Sequence, residues 1–272
     1  MPMEDITSLQ NQRVKDAAKL RERRERRKQG QVLIDGGREV RRAIEAGVDL
    51  AEVFLCESLC RSSDCRWVLE RLATLPVRQS RVTPAVFEKM VFGERAEGIL
   101  AIAKTPERSL ADIQLPANPL VAVLEGVEKP GNIGAVLRSA DAAGVSALII
   151  ADGGTDLFNP NTIRASLGAV FTVPVGTAPA TAVRDWLVAQ RISVFVARVD
   201  AKTNYADVDL SRPAAIVLGS ESEGLTQLWS GPSVSPIRLP MRGDVDSLNV
   251  SAAAAVLFYE ALRQRDKPAG RK

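Results

Sequence analysis

Asn132 and Arg138 lie in the segment Gly131–Ser139, which follows an apolar run at Leu120–Leu124. An amide offers a donor and an acceptor, and a guanidinium offers five donors with a permanent positive charge. Such a pair could orient a hydroxyl group and stabilise negative charge that develops on its oxygen. Taken alone, Asn132 could simply cap a helix, and Arg138 is more typical of an exposed helix arginine than of a site residue.

Two further segments place polar residues beside apolar runs. Leu218-Gly219-Ser220-Glu221 ends the run Ala214–Leu218, and Ser247-Leu248-Asn249-Val250-Ser251 precedes four consecutive alanines. Gly219 has no Cβ, so a ligand can approach the backbone there. Ser247 and Asn249 could bind a ligand or could simply cap the helix that follows.

The sequence contains no histidine, which excludes Ser–His and Cys–His catalysis and a histidine general base. Gly131 and Gly134 lack the G-x-G-x-x-G spacing of dinucleotide-binding turns, so we disfavour that alternative. The three cysteines, Cys56, Cys60 and Cys65, have no CxxC spacing. We therefore expect reduced thiols and no metal site.

Together and in this order, the three segments resemble the three motifs of the SpoU (TrmH-like) family of RNA 2′-O-ribose methyltransferases in the SPOUT superfamily. Asn132, Gly134 and Arg138 match the family pattern Asn-x-Gly-x-x-x-Arg residue by residue. The segment Arg164–Ala169 is also similar to the family's Arg-Ala-Ser-x-Gly-Ala element.

The resemblance implies an enzyme that uses S-adenosylmethionine to methylate a ribose 2′-hydroxyl. It implies catalytic-site roles for Arg138, Asn132, Glu221, Ser247 and Asn249. It implies cofactor contacts from Leu218, Gly219, Ile237, Leu239, Ser247, Leu248 and Asn249. Because an arginine side chain keeps its proton in proteins, we expect Arg138 to orient the hydroxyl and stabilise charge rather than to remove its proton.

A basic arm, residues 1–29, carries most of the excess positive charge. Nine basic and three acidic residues lie between Arg13 and Lys28, whereas the whole chain of 272 residues has a net charge of only +3. The pattern predicts one charged helix over residues 5–29 that contacts the phosphate groups of a nucleic acid. The alternative is a solvated helix face stabilised by pairs of glutamate and arginine. The expected RNA contacts are Arg21, Arg23, Arg24, Arg26, Arg27 and, from the resemblance, Arg164.

In residues 30–104 short apolar runs alternate with helical patterns, which predicts a small α/β domain. The order of its elements and the phrase Phe92–Ala101 resemble the substrate-binding domain, related to ribosomal protein L30e, that precedes many SpoU catalytic domains. A proline-containing linker is expected at 105–118.

The catalytic domain that the resemblance implies is expected at residues 119–267, and a tail is expected at 268–272. Near-continuous apolar strands that alternate with helices indicate an α/β fold with a parallel sheet covered by helices on both faces. The expected strands are Leu120–Leu124, Ala147–Ala151, Ala169–Val173, Ile192–Ala197, Ala214–Leu218 and Ile237–Leu239. The resemblance further implies a C-terminal trefoil knot.

Family members with this architecture mostly act on large-subunit ribosomal RNA, so 23S ribosomal RNA is the expected substrate. The alternatives are a transfer RNA methyltransferase and a ribosome-associated RNA-binding protein without catalysis. The resemblance implies a homodimer through the catalytic domain. No apolar run suits a membrane span or a signal peptide, and we expect a cytoplasmic protein.

Overall fold

The computed structural model describes residues 3–92, 97–154 and 156–266. Up to residue 107 the elements are β1 (Glu4–Ile6), α1 (Gln12–Lys19), α2 (Arg23–Gln29), β2 (Gln31–Asp35), α3 (Gly37–Glu45), β3 (Leu50–Leu55), α4 (Ser63–Leu72), β4 (Arg78–Val82), α5 (Pro84–Met90) and β5 (Ile99–Lys104). They are followed by β6 (Leu120–Glu125), α6 (Pro130–Ala142), β7 (Ala147–Ala151), α7 (Pro160–Ala165), α8 (Ala169–Thr172), β8 (Val175–Ala178), α9 (Ala180–Ala189), β9 (Ser193–Ala197), β10 (Thr203–Asn204), β11 (Ala214–Leu218), β12 (Val234–Arg238) and α10 (Val250–Arg265).

The chain forms two compact units, and neither is continuous in sequence. Unit 1 comprises the described residues of Met1–Glu107 and Asp156–Thr172, and unit 2 comprises those of Arg108–Thr155 and Val173–Lys272. The first boundary, between Glu107 and Arg108, falls inside the segment expected to be a linker. The segment Asp156–Thr172, expected in the catalytic domain, instead packs in unit 1.

Unit 1 contains a five-stranded mixed sheet in the order β1-β4-β3-β5-β2. Strands β1, β4 and β3 are parallel, and β5 is antiparallel to both β3 and β2. Gly93–Ala96, which belong to the phrase that suggested an L30e-like domain, lie outside the described residues.

The single helix predicted over residues 5–29 is not observed, because the segment folds as β1, α1 and α2. Asn11 caps α1, and Gly30 ends α2 in the left-handed region at φ +60°. The few apolar residues of the segment, among them Ile6, Val14 and Leu20, are buried in the core of unit 1. The basic arm is thus part of a packed domain, because an amphipathic helix needs only a narrow apolar stripe to dock.

Unit 2 contains a seven-stranded sheet in the order β10-β12-β9-β11-β6-β7-β8, and every pairing in it is parallel. Every residue of β6, β7 and β11 is buried. Strands that are apolar on both faces must be covered on both faces, which is typical of parallel sheets. The expected α/β fold with a parallel sheet is confirmed.

The strand predicted at Ala169–Val173 is wrong: Ala169–Thr172 forms α8, and the edge strand β8 begins later, at Val175. A short apolar run cannot by itself distinguish a buried helix from a strand. Gly168 precedes α8 with φ +82°, and a Cβ there would lie 3.1 Å from the Cα of Glu39 in α3. This close packing in unit 1 fixes the backbone before the strand starts.

Helix α10 packs against α6 and returns the chain to the start of the parallel sheet. The Arg265 guanidinium donates to the carbonyl oxygens of Asn118, Pro119, Leu210 and Arg212 at 2.7–3.1 Å. This is the segment for which the resemblance implies threading. Among the described residues, no helix is long and apolar enough to cross a membrane.

Candidate active site

The first motif occupies the connection between β6 and α6. Gly126 turns the chain at φ +63°, and Pro130 occupies the first turn of α6, where its fixed φ favours helix initiation. Helical spacing places Ile133 and Leu137 on one face of α6, and both are buried. Asn132 remains half-buried near the start of the helix, and Arg138 is exposed.

One residue from each motif meets in the motif cluster, which consists of Asn132, Glu221 and Asn249. The Nδ2 atoms of Asn132 and Asn249 both donate to Glu221 Oε1, at 3.1 and 2.5 Å. Asn249 Nδ2 also lies 3.3 Å from Asn132 Oδ1. The structure therefore brings together three of the expected catalytic residues, which are separated by as many as 117 positions in the chain.

Lys129 adds a positive charge to the motif cluster. Its Nζ lies 2.9 Å from Glu221 Oε2. The Lys129 hydrogen bond is the largest cause that holds the pKa of Glu221 below its usual value, and the Asn132 hydrogen bond acts in the same direction. Glu221 is consequently an anion at neutral pH and acts here as an acceptor, so it is poorly suited to donate a proton.

Asn249 has a second, structural contact. Its Oδ1 accepts hydrogen bonds from the Ser251 backbone N–H at 2.9 Å and from Ser251 Oγ at 2.6 Å, and it caps α10. The capping interpretation of Asn249 is therefore confirmed for its oxygen, while its nitrogen is held by Glu221. Ser247 lies exposed in the preceding loop.

The Gly219 turn, Gly219–Leu225, folds tightly back on itself. The Gly224 N–H donates to Ser220 O, and the Glu223 N–H donates to Ser220 Oγ, both at 3.1 Å. A Cβ on Gly219 would lie 2.3 Å from the carbonyl carbon and oxygen of Gly224. Glycine is thus required here first by the approach of the chain's own backbone.

A cavity of about 520 Å³ opens beside the Gly219 turn. Five of the expected cofactor contacts line it: Leu218, Gly219, Leu239, Ser247 and Leu248. Ile237 is buried in β12 and does not line the cavity, and Asn249 stands between the lining residues Leu248 and Val250. The volume lies in the ~300–1,000 Å³ range of small-molecule sites.

The cavity combines apolar walls with an excess of carboxylates. Its aliphatic surface comes from Leu218, Leu225, Leu239 and Val250 and from neighbouring residues. Asp200, Glu221, Glu223 and Asp246 also line it, with Arg198 as the single cationic lining residue, paired to Asp200 at 3.0 Å. This lining suits a ligand with a flat apolar body and a positive charge.

Arg138 has no hydrogen bond or ion pair with any residue that the structure describes, and its side chain is exposed. A guanidinium that is not held by a protein carboxylate keeps all five donors for a ligand. This arrangement suits a group that binds substrate rather than one that stabilises the fold.

Glu125, the last residue of β6, lies beside the site but in none of the motif segments predicted to form it. Glu125 is 3% exposed, and it accepts hydrogen bonds from Thr226 and Trp229 at 2.8–2.9 Å. The available signal was a charged residue at the end of an otherwise apolar strand. Lys129 was missed as well, since its proximity to Glu221 is a tertiary contact.

The expected RNA contacts fall into two groups. Arg23, Arg24 and Arg27 are exposed on α2 and have no partner among the described residues. Arg26 is only 3% exposed, pairs with Asp156 at 2.6 Å and donates to Leu20 O, so its assignment as an RNA contact is corrected to a structural role.

Arg21 and Arg164 are half-buried and bind groups of unit 1. Arg21 donates to the carbonyl oxygens of Lys89, Met90 and Val91 at the end of α5. Arg164 donates to Phe92 O and lies 3.5 Å from Asp35 Oδ2. Carbonyl and carboxylate partners occupy both guanidinium groups, which disfavours them as phosphate contacts.

Cys56, Cys60 and Cys65 are free thiols. Burial raises the pKa of the Cys60 thiol to about 12, which keeps it protonated. Within residues 3–92, 97–154 and 156–266, no group of three or more cysteine or acidic side chains could hold a metal ion.

The chain matches two family models. Residues 119–259 match the model of the SpoU rRNA Methylase family, and residues 11–101 match that of the MRM3-like substrate binding domain. The second match begins inside the basic arm, in agreement with the packing of α1 and α2 in unit 1.

Similar proteins cover nearly the whole chain. The 23S rRNA (uridine(2479)-2′-O)-methyltransferase of Streptomyces viridochromogenes is 30% identical over 91% of this chain and 88% of its own. A crystal structure of an RNA 2′-O ribose methyltransferase is 40% identical, with a TM-score of 0.84 over 96% of this chain and 99% of its own. An AdoMet-bound rRNA methyltransferase from Sinorhizobium meliloti is 26% identical, with a TM-score of 0.84 over 96% and 98%.

Proposed function

The chain belongs to the SpoU rRNA methylase family, and we infer that it is an enzyme that methylates a ribose 2′-hydroxyl of ribosomal RNA, with S-adenosylmethionine as the methyl donor. The observation that carries this function is the motif cluster: Asn132, Glu221 and Asn249 hydrogen-bond to one another at the edge of the cavity. The similar enzyme of Streptomyces viridochromogenes is named as a 23S rRNA methyltransferase, so the same RNA is the proposed substrate.

The chemistry of the cavity fits the cofactor. S-adenosylmethionine supplies an activated methyl group on a positively charged sulfur. The leucine and valine walls suit its adenosine, and the nearby carboxylates of Asp200, Glu221, Glu223 and Asp246 suit its positive charge. The proposed contacts are the lining residues Leu218, Gly219, Leu239, Ser247 and Leu248, with Ile237 and Asn249 supporting the wall.

Arg138 is the proposed catalytic group that touches the substrate. Its exposed guanidinium can donate to the 2′-oxygen and to an adjacent phosphate, which orients the hydroxyl and stabilises the negative charge that develops on it. A guanidinium keeps its proton in proteins, so the proton of the hydroxyl leaves to phosphate or to water.

The motif cluster is proposed to hold this geometry. Glu221 fixes the amides of Asn132 and Asn249, and these residues begin the two helices, α6 and α10, that pack against each other. Fixed alignment of the reacting groups is worth about 7–11 kcal/mol in well-oriented reactions. Ser247 is the remaining proposed site residue, and it lines the cavity from the loop before α10.

RNA is proposed to contact α2 through Arg23, Arg24 and Arg27. These three cations are exposed on a single seven-residue helix and have no partner among the described residues. Phosphate contacts of this kind supply affinity without sequence readout and weaken as salt rises.

We also propose a homodimer that acts in the cytoplasm. Val256 and Tyr259 lie three positions apart on α10 and are 38% and 51% exposed, which gives this helix an uncovered apolar stripe. Size-exclusion chromatography with light scattering is expected to give twice the chain mass, and Tyr259→Asp is expected to shift it to the monomer mass. Fractionation of cells is expected to recover the protein with cytoplasmic ribosomes.

A methylation assay tests the function. The purified protein is incubated with radiolabelled S-adenosylmethionine and, separately, with 23S rRNA, 16S rRNA and transfer RNA from cells that lack the enzyme. We expect label in 23S rRNA that survives alkaline hydrolysis as a 2′-O-methylated dinucleotide.

The alternatives give different results in the same assay. Label confined to transfer RNA would identify a transfer RNA methyltransferase. RNA binding without label and without calorimetric binding of S-adenosylmethionine would identify a non-catalytic RNA-binding protein and would contradict the proposal.

A further inference from the structure

One carboxylate of unit 2 is enclosed in the protein interior beside the cavity. Glu125 ends β6, whose preceding five residues are all apolar, and only 3% of it is exposed. An ionised carboxylate in such a place is costly unless it is fully hydrogen-bonded. Its partners therefore indicate what it is for.

Among the described residues, the Glu125 carboxylate has three donors, and all of them come from one short segment. The Thr226 N–H donates to Oε2 at 2.8 Å, Thr226 Oγ1 donates to Oε1 at 2.9 Å, and Trp229 Nε1 donates to Oε1 at 2.8 Å. Trp229 is itself 1% exposed. The carboxylate thus fastens the segment Thr226–Trp229 to the end of β6.

This segment directly follows the Gly219 turn. Strands β6 and β11 are neighbours with Leu124 opposite Leu218, so Glu125 stands beside the point where the turn begins. It binds Thr226, the residue that comes after the turn ends. Both ends of the turn are therefore fixed to the same edge of the sheet.

The Gly219 turn contributes most directly to the site. All seven of its residues line the cavity, and Glu221 within it forms the centre of the motif cluster. A loosened turn would move one wall of the cavity and the Glu221 carboxylate together.

We propose that Glu125 is a positioning residue that holds the Gly219 turn in the geometry that binds the cofactor. This inference rests on the proposed function, because it takes S-adenosylmethionine as the ligand of the cavity. Glu125 touches neither reactant and acts through Thr226 and Trp229.

Glu125→Gln is the most informative change, because it keeps the shape and replaces one acceptor with a donor. With its oxygen toward the Thr226 N–H, the glutamine leaves Trp229 Nε1 without an acceptor. In the reverse orientation, its amide nitrogen faces the Thr226 N–H. Either the buried Trp229 indole N–H or the part-buried Thr226 N–H therefore loses its acceptor, depending on the orientation.

The affinity for S-adenosylmethionine, measured by calorimetry, is expected to fall about tenfold in Glu125→Gln, which corresponds to about 1.4 kcal/mol. Affinity for RNA is expected to stay within twofold. Hydrogen exchange is expected to speed up in residues 219–229 and not in the remaining strands. Asp185→Asn on α9 is the matched control, because it makes the same chemical change at an exposed position of the same unit.

Trp229→Phe completes a double-mutant cycle. In the Trp229→Phe background the orphaned indole N–H is gone, so Glu125→Gln is expected to weaken cofactor binding by less than threefold. If Glu125→Gln does not fold, Trp229→Phe and Thr226→Val are used instead. Each is expected to lose less than tenfold in affinity for S-adenosylmethionine and to show faster hydrogen exchange in residues 219–229.

Several outcomes would overturn the inference. The first is an unchanged affinity for S-adenosylmethionine in Glu125→Gln. The second is a double-mutant cycle in which the effects of Glu125→Gln and Trp229→Phe on that affinity simply add. The third is an equal loss of cofactor and RNA affinity together with faster hydrogen exchange throughout the chain. Failure of the unaltered protein to bind S-adenosylmethionine would instead contradict the proposed function, so the two failures are distinguishable.

Discussion

Asn249 donates a hydrogen bond to Asn132 at 3.3 Å, although 117 positions separate the two residues in the chain. The same nitrogen of Asn249 reaches Glu221 Oε1 at 2.5 Å, and its oxygen caps α10. A single amide therefore joins the start of α10 to the start of α6. Its two functions can be separated experimentally.

Asn249→Ala removes both functions, and Asn249→Ser removes only one, because serine is a good N-cap but is too short to reach Glu221. We expect the alanine variant to lower the free energy of unfolding by about 1 kcal/mol and the serine variant by less than half of that. Both are expected to lose at least tenfold in single-turnover methylation. Wild-type activity in Asn249→Ser would show that the amide serves only as a cap.

Arg138→Ala is expected to reduce single-turnover methylation by about 10²–10³-fold, as expected for the loss of a donor to a developing oxyanion. Calorimetric affinity for S-adenosylmethionine is expected to stay within twofold, because Arg138 does not line the cavity. Arg212→Ala, at a guanidinium that is 82% exposed in the same unit, is the control. A normal rate in Arg138→Ala would refute the assignment.

The triple change Arg23→Ala, Arg24→Ala and Arg27→Ala is expected to weaken RNA binding and to lower the slope of log K against log salt by about two, since each phosphate contact on a single strand contributes about 0.7. Three exposed arginines on or beside α4, Arg61, Arg66 and Arg71, provide a charge-matched control triple. Equal slopes for the two triples would assign the attraction to overall charge rather than to α2.

Gly219→Ala is expected to abolish cofactor binding while the chain still folds, because the new Cβ would meet the Gly224 backbone at 2.3 Å and push the turn open. Gly243→Ala is the control, since a Cβ there meets nothing within 4 Å. Calorimetry with S-adenosylmethionine and a thermal melt measure the two quantities. Cofactor affinity near the wild-type value in Gly219→Ala would mean that the turn rearranges without affecting the cavity.

The stability of unit 1 is expected to decrease from pH 5 to pH 8. Burial, with a smaller contribution from the nearby Glu97, raises the pKa of Glu39 to about 7 and that of Asp35 to about 6. Each group stabilises the fold while protonated; this contribution is complete below the unfolded value near 4 and is lost as pH rises through about 6–7. The Arg164 guanidinium and the Phe92 N–H oppose the shift at Asp35.

Glu39→Gln should remove the larger part of this dependence, up to about 3 kcal/mol at pH 8. Denaturant unfolding of the full chain at pH 5 and pH 8 measures it. Glu88→Gln, at an exposed position of α5, is the control. A pH dependence that persists unchanged in Glu39→Gln would place its origin elsewhere.

Much of unit 2 was predictable because its parallel strands are buried on both faces and read as continuous apolar runs. Ala147–Ala151 and Ala214–Leu218 were predicted to the residue. A continuous apolar run also predicted a strand at Ala169–Val173, but this segment forms a helix directly after Gly168, which packs closely on α3. The prediction of a single helix for the basic arm was wrong for a different reason. The arm has few apolar residues, yet they suffice to dock two short helices on the core of unit 1.

The candidate site was predictable where a motif marks it and not where a tertiary contact makes it. The resemblance identified Asn132, Glu221 and Asn249. Nothing in the sequence indicates that Lys129 lies against Glu221 or that Glu125 receives hydrogen bonds from Trp229. Likewise, Arg26 and Arg27 are neighbours of equal charge, and only the fold shows that one is buried and the other exposed.

The discontinuity of unit 1 has a consequence for the order of events during synthesis. Its sheet is complete once Lys104 has been made, but α7, α8 and Asp156, the ion-pair partner of Arg26, follow only after two strands of unit 2. A nascent chain that has emerged up to the linker therefore carries Arg26 without its carboxylate. No single proteolytic cut can release unit 1 intact, and partial digestion should yield fragments that stay associated until they are denatured.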